Sequence, residues 1–251
     1  VYPIGTMCGL LDVNRETYYA VMRGERNLRK QKKEETDLRV KMSFEKSRKT
    51  YGSVRVGKDL GIDPKTARKS MRRQNLWPKG RKRYRVTTDS KHGYLVAENL
   101  VNRDFSPDKP GKLWLSDITY VPTSEGFRYY TVIVDMFDKK VVADRFSASL
   151  KAADTVLPAI RAAMVNRKTE PDLVFHSDRG VQYACNETVN LLESYGVTRS
   201  MSRKGNCWDN APAESFFKTL KAELFYGEKL LGAKETGMKI FDYVHTFYNR
   251  K

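Results

Sequence analysis

Cysteine is scarce and unpatterned in this chain. Cys8, Cys185 and Cys207 are far apart and odd in number, which argues against a disulfide framework and offers no zinc-ligand spacing. A reducing compartment suits such thiols. Long apolar runs are missing too: no stretch approaches the ~20 residues that a membrane-crossing helix needs, and no secretory h-region follows the N-terminus. The protein is therefore expected to be soluble and intracellular, with no membrane partner. The first residue is Val rather than Met and Lys251 follows directly on Tyr-Asn-Arg. The chain thus reads as a fragment or as lacking terminal residues.

What is present is positive charge, unevenly placed. The formal charge is +17; residues 1 to 112 carry 28 Lys or Arg against 13 acids, and the remainder 19 against 17. The basic half is the expected grip on a polyanion, and the nearly neutral half the expected seat of chemistry. With 251 residues and 40% apolar content the chain can bury a good-sized core.

Along the basic half, residues 1–50 read as the end of a helix-turn-helix, with Asn14 able to cap its second helix, followed by a charged linker leading into a modest helix. Residues 51–76 read as a compact helix-turn-helix: a helix capped by Ser53 and running to about Leu60, a Gly61-Ile62 turn, then Asp63 and Pro64 opening a second helix. That helix carries Lys65, Arg68, Lys69, Arg72 and Arg73, the first four on one face, where they can meet phosphates or base edges; a solvated face of a small three-helix unit is the alternative. Residues 77–111 read as a basic connector whose Lys82 and Arg83 would track a nucleic-acid backbone, with a domain boundary near residue 110.

Residues 112–225 carry a different pattern. Strands are predicted over 113–121, 129–134, 140–146, 173–176 and 197–200, with helices over 152–165, 187–195 and 210–225. Residues 226–251 read as a C-terminal helical extension. The order β-β-β-α-β-α-β-α predicts an α/β fold, a ribonuclease-H-like mixed five-stranded sheet flanked by helices.

Three acids stand at the ends or edges of these elements: Asp117 in the first strand, Asp178 just after the fourth, and Glu214 in the first turn of the last helix, 35 residues after Asp178 read as the interval between them. Two carboxylates on neighbouring strands would repel unless divalent cations neutralised them. An oxygen-only donor set suits Mg²⁺ or Mn²⁺, and two such ions would serve in-line displacement at a phosphodiester. Lys218 and Lys221 lie one and two turns beyond Glu214 on the same face, placed to hold the strand being cut. Arg203 and Lys204 sit in a basic, Gly-bearing segment expected to be a mobile loop over the cleft. His176 is read either as ordering a ligand or contacting the scissile phosphate, or as a satisfied structural histidine. Asp135 is expected in a turn or capping role and Asp209 as a helix cap; Asp144 and Asp172 show no convergent partners.

The words WLSDITYV, HSDRGVQY, SMSRKGNCWDNAPAESFFKTLKAE and the terminal FYNR resemble the insertion-sequence transposases with a retroviral-integrase-type catalytic core, specifically their second reading-frame product. The resemblance covers about residues 112–251 with high specificity and the upstream region with less. It implies Mg²⁺-dependent cleavage of DNA at element ends and transfer of the freed 3′ hydroxyl, by Asp117, Asp178 and Glu214. It also matches Asn210 and His176 to supporting positions. The partners it implies are double-stranded DNA, as terminal repeats and target, and further copies of the chain, in a prokaryotic nucleoid. The family's RRI wording after TYG is absent here, and the family continues past YNRK. A nuclease that only hydrolyses, or a non-enzymatic helix-turn-helix regulator, are the competing functions.

Overall fold

The computed structural model describes residues 2–78 and 93–250. Chain contacts divide it into two compact units, Val1–Gly80 and Arg81–Lys251. Lys82 and Arg83 lie outside the described residues.

The first unit is helical: α1 (Ile4–Leu10), α2 (Arg15–Met22), α3 (Glu25–Lys46), α4 (Ser53–Leu60) and α5 (Pro64–Arg73). Asn14 caps α2 by accepting from the Glu16 N–H at 2.8 Å, and Asp63 caps α5 through the N–H groups of Lys65 and Thr66. The expected Ser53 cap is not made; Gly52 precedes α4 and Ser53 is already its first helical residue. The charged stretch read as a linker is one continuous 22-residue helix. Its apolar content is low because only its C-terminal half is packed, through Val40 and Phe44, against Val56, Ala67 and Met71 of α4 and α5. Lys, Arg, Glu and Gln, good helix formers, populate the rest. Gly57 lets α4 approach the turn, since a Cβ there would meet the Ile62 carbonyl at 2.9 Å. Asp37 of α3 then ties α5 down, accepting from Ser70 Oγ at 2.5 Å and Arg73 Nε at 3.1 Å.

The second unit is built on β1 (Leu113–Thr123), β2 (Gly126–Asp135), β3 (Val141–Ser147), β4 (Val174–Ser177) and β5 (Thr198–Met201) in the order β3-β2-β1-β4-β5. The β1–β2 and β2–β3 pairs are antiparallel, β1–β4 and β4–β5 parallel. This is the ribonuclease-H-like mixed sheet that the element order predicts. Strand alternation sends Leu113, Leu115 and Val121 into one apolar cluster, with α9 (Ala211–Leu224), and Trp114 and Ile118 into the opposite one, with α6 (Val156–Asn166) and α8 (Asn186–Ser194). A four-residue helix, α7 (Val181–Ala184), follows β4. The predicted helix over 152–165 is split, because Thr155 (φ −120°, ψ −81°) separates a 3₁₀ turn from α6.

Both sheet edges are covered by chain from outside the strands, which removes open ladders. At β5, residues 98–102 form a strap: Met201 N–H reaches the Glu98 carbonyl at 3.3 Å and Leu100 N–H the Ser200 hydroxyl at 2.9 Å. At β3, the Asn249 side chain bonds both the N–H and the carbonyl of Val141 at 2.9 Å, as a neighbouring strand would. The segment through α10 (Ala233–Phe241) and the π-helical turn Asp242–Phe247 buries Ile240, Tyr243 and Val244 in the α9 cluster.

Candidate active site

Ser116 and Ser177 are paired in the parallel β1–β4 ladder, so Asp117 and Asp178, each the next residue, leave the sheet side by side. Asp117 shares the strand parity of Leu115 and Val121 and so lies on the α9 side, the side from which Glu214 comes. Asp117 Oδ1 accepts from Ile118 N–H at 2.9 Å and Asp178 Oδ1 from Gly180 N–H at 2.8 Å. All three carboxylates are half-buried.

Burial first, then the negative charge of Asp178 and of Glu214, push the Asp117 carboxyl well above the usual carboxylate range. The three carboxyls therefore lie close together, since like charges raise one another's pKa only at short range. Among the described residues no three His, Cys, Asp or Glu side chains stand as a ready-made metal-binding group. The donor chemistry nevertheless fits a hard divalent cation: oxygen ligands alone, and a mutual repulsion that a cation would relieve. Two lysines of α9 border the acids. Lys218 Nζ lies 3.6 Å from Glu214 Oε2. Lys221 is half-buried, and burial lowers its pKa against the attraction of Asp117.

The floor is built from groups that sequence inspection passes over. Tyr183 of α7 is buried with its hydroxyl 2.8 Å from Ser116 Oγ, and Ser116 Oγ donates to the Val132 carbonyl at 2.8 Å, so Tyr183 is the donor of the pair. Its own ionisation is pushed up by burial and then by Asp117 and Asp178. Gly180 leaves Asp178 room: a Cβ there would stand 3.0 Å from Asp178 Oδ1 and 3.2 Å from Gln182 Oε1, pressing both side chains by a few tenths of an ångström.

His176 points away from the acids into a buried serine pair, with Nδ1 2.9 Å from Ser200 Oγ and Nε2 3.2 Å from Ser202 Oγ. Desolvation lowers its pKa to about 4, against the opposing pull of Asp209. It is therefore a neutral, structural histidine at neutral pH. Asn210 immediately precedes α9 and is buried, yet its side chain makes no cap, and its Oδ1 finds no hydrogen-bond partner among the described residues.

Several acids differ from expectation. Asp209 is not a helix cap; its buried carboxylate is shared by Arg203, Arg103 and Asn99. Asp144 does have convergent partners, the Tyr130 hydroxyl at 2.9 Å and His245 Nε2 at 2.8 Å. Asp172 pairs with Lys112 at 3.6 Å. Asp135 takes the expected turn role through Phe137 N–H but also binds Gly111 N–H, the Trp114 indole and Arg167. Apart from Arg203, Tyr130 and Phe137, their partners are more than 20 residues away, which is why local reading missed them. Among the basic residues, Lys65, Arg68, Lys69 and Arg72 are exposed on α5, whereas Arg73 is engaged by Asp37 and Arg203 by Asp209. Lys204 is exposed in the segment leading to α9.

Comparison with known proteins was then decisive on family. Two integrase core domain models match, over residues 107–207 and 214–251. An uncharacterized 31 kDa protein of insertion element IS600 from Shigella sonnei is 35% identical over 254 residues, covering 98% of this chain and 92% of that one. The transposase InsF for insertion sequence IS3A from Escherichia coli (strain K12) is 32% identical over 256 residues, covering 99% and 88%. Among solved structures, the HTLV-2 integrase catalytic core domain in complex with magnesium is 16% identical with a TM-score of 0.40, over 53% of this chain and 84% of that one.

Proposed function

This chain belongs to the insertion-sequence transposases with an integrase core domain, and from that membership we propose that it cuts the ends of its own element and joins the freed 3′ hydroxyls to target DNA. The observation that carries the proposal is the register that sets Asp117 and Asp178 side by side with Glu214 acting on the same point.

The reaction is two phosphoryl transfers. Water first displaces the 3′ oxygen at an element end, leaving a 3′ hydroxyl. That hydroxyl then attacks a target phosphodiester, forming one P–O bond as another breaks, with the proton passing to the departing 3′ oxygen. Asp117, Asp178 and Glu214 would hold two Mg²⁺ or Mn²⁺ ions, which would supply Lewis acidity and charge neutralisation at the phosphate. The chain's other residues position the DNA. Lys218 and Lys221 on α9 border the acids and would bind the phosphates flanking the cut. Lys65, Arg68, Lys69 and Arg72 present one exposed basic face of α5, suited to duplex DNA, and Lys204, with Lys82 and Arg83 of the connector, would add backbone contacts. Two ends must be cut and joined together, so at least two copies act on the DNA, in the nucleoid of a prokaryotic cell.

The test is strand transfer by the purified chain on a duplex carrying its element's terminal repeat, with Mg²⁺ or Mn²⁺. A joined product, lost on chelation and lost in D117N, D178N and E214Q while DNA binding persists, is the expected result. Nicks without joined product would assign a hydrolytic nuclease. DNA binding with neither product, indifferent to metal, would assign a regulator.

A further inference from the structure

The turn before the Glu214 helix is held by a network of its own. Asp209 is 1% exposed, with a side chain of 0%. It accepts from Arg203 N–H at 2.9 Å, Arg203 Nε at 2.8 Å and Nη2 at 2.7 Å, Arg103 Nε at 3.2 Å and Asn99 Nδ2 at 2.9 Å. Arg103 Nη2 also reaches Asn206 Oδ1 at 3.2 Å. The partners come from two sides: Arg203 from the segment that leaves β5, and Asn99 and Arg103 from the strap that covers the β5 edge. Asp209 is thus the point where strap, β5 exit and α9 entry are tied.

A helix normally fixes its first turn with a capping side chain, and α9 does not: Asn210 makes no cap bond. Glu214 sits in that uncapped first turn. Asp117 lies in β1 and Asp178 just after β4, whereas Glu214 is carried by α9, which packs in the core through Ala213, Phe216 and Phe217 and is entered through the 3₁₀ turn Cys207–Asn210. The fully buried, doubly ion-paired carboxylate one residue before Asn210 anchors that entry turn. Both guanidiniums are spent on it, and their own exposures, 48% for Arg103 and 49% for Arg203, show that they lie across the surface as arms while the carboxylate is inside.

We propose that Asp209, with Arg203 and Arg103 as its arms, is a positioning latch that sets Glu214 against Asp117 and Asp178. Arg203 then acts inside the protein rather than on DNA. The inference rests on the metal-site reading above for its consequence, and on the hydrogen-bond network alone for the latch itself. Groups that orient ligands of a metal typically change its affinity 10- to 100-fold when removed. A latch acting through the helix start belongs at the lower end of that range.

The test uses the full chain without DNA and two readouts. Mn²⁺ binding is followed by electron paramagnetic resonance or calorimetry in wild type, D209N, R203M and the double variant, with E214Q as reference; backbone hydrogen exchange is followed over residues 208–218. D209N and R203M are each expected to weaken Mn²⁺ binding about tenfold and to speed exchange at the start of α9, with the double variant no worse than D209N alone, since D209N already loosens Arg203 along with Arg103 and Asn99. R203K, which keeps a charge but not the fork, should restore only part of the loss. Wild-type Mn²⁺ affinity and exchange in D209N would overturn the latch. So would unchanged Mn²⁺ binding and exchange in R203M. If wild type and E214Q alike bind no Mn²⁺, the metal-site reading fails, and the exchange data still decide the latch.

Discussion

Ser116 on β1 and Ser177 on β4 are direct partners in a parallel ladder, and this one pairing places the next residue of each strand, Asp117 and Asp178, at the same level of the sheet. Parallel register, unlike sequence spacing, leaves no freedom here: a slip by one residue would turn one of the two acids to the opposite face.

Gly180 lies close against Asp178. Gly180→Ala places a methyl 3.0 Å from Asp178 Oδ1 and displaces the carboxylate that the Gly180 N–H holds. Misplacing a reacting group by about 1 Å costs up to roughly 100-fold in rate. The methyl presses Asp178 by only a few tenths of an ångström, so strand transfer is expected to fall severalfold, at most about tenfold, in this variant with unchanged DNA affinity, measured by gel-based joining and by anisotropy.

His176 makes stability depend on pH. Its folded pKa, about 4, lies below the ordinary value of 6.5. The unfolded chain therefore binds more protons between those values, and stability is full above about pH 6.5 and declines as pH falls toward 4. The effect is on the order of 3 kcal/mol. His176→Gln, which keeps polar atoms for Ser200 and Ser202, should flatten the slope of denaturant-unfolding free energy against pH in that window.

On α5, neighbouring basic residues should separate cleanly. Lys69→Ala removes an exposed cation and is expected to weaken DNA binding and reduce the salt slope by about one, at unchanged stability. Arg73→Ala instead leaves Asp37 without its guanidinium partner. Its cost should be about 1 kcal/mol in the stability of the N-terminal unit, read by thermal unfolding, with little change in the salt slope.

Asn249 closes the β3 edge with two hydrogen bonds to Val141. Asn249→Ala is expected to cost about 1–2 kcal/mol. Hydrogen exchange at Val141 should rise, and self-association should increase as the edge opens. An unchanged Val141 amide would show that the edge is protected by other means.

Local chemistry accounts for what could be read along the chain. Asn14, Asp63 and Pro64 mark helix starts because caps act within three residues, and the β1 to β5 strands were legible because apolar runs and turn residues are short-range signals. The three acids could be singled out because each adjoins such an element, inside words that resemble a family of transposases. The helix α3 was misread for the converse reason: half of it is helical without burying anything, so it has no apolar stripe to see. Asp209 and Asp144 were misjudged because key partners are distant: Arg103 lies on the far side of all five strands in the chain, and His245 comes from the π-helical turn near its end.

By itself, then, the sequence determined the order of the five strands and most of the helices, the fold class, and which carboxylates are candidates for chemistry. Only the tertiary structure decided how they are held: the β1–β4 register that pairs Asp117 with Asp178, the glycine that leaves Asp178 room, and the employment of Arg73 and Arg203 as internal struts. The physical reason is range. Propensity, capping and periodicity act between residues a few positions apart, whereas an ion pair or a strand register depends on which distant segments the folded core brings together.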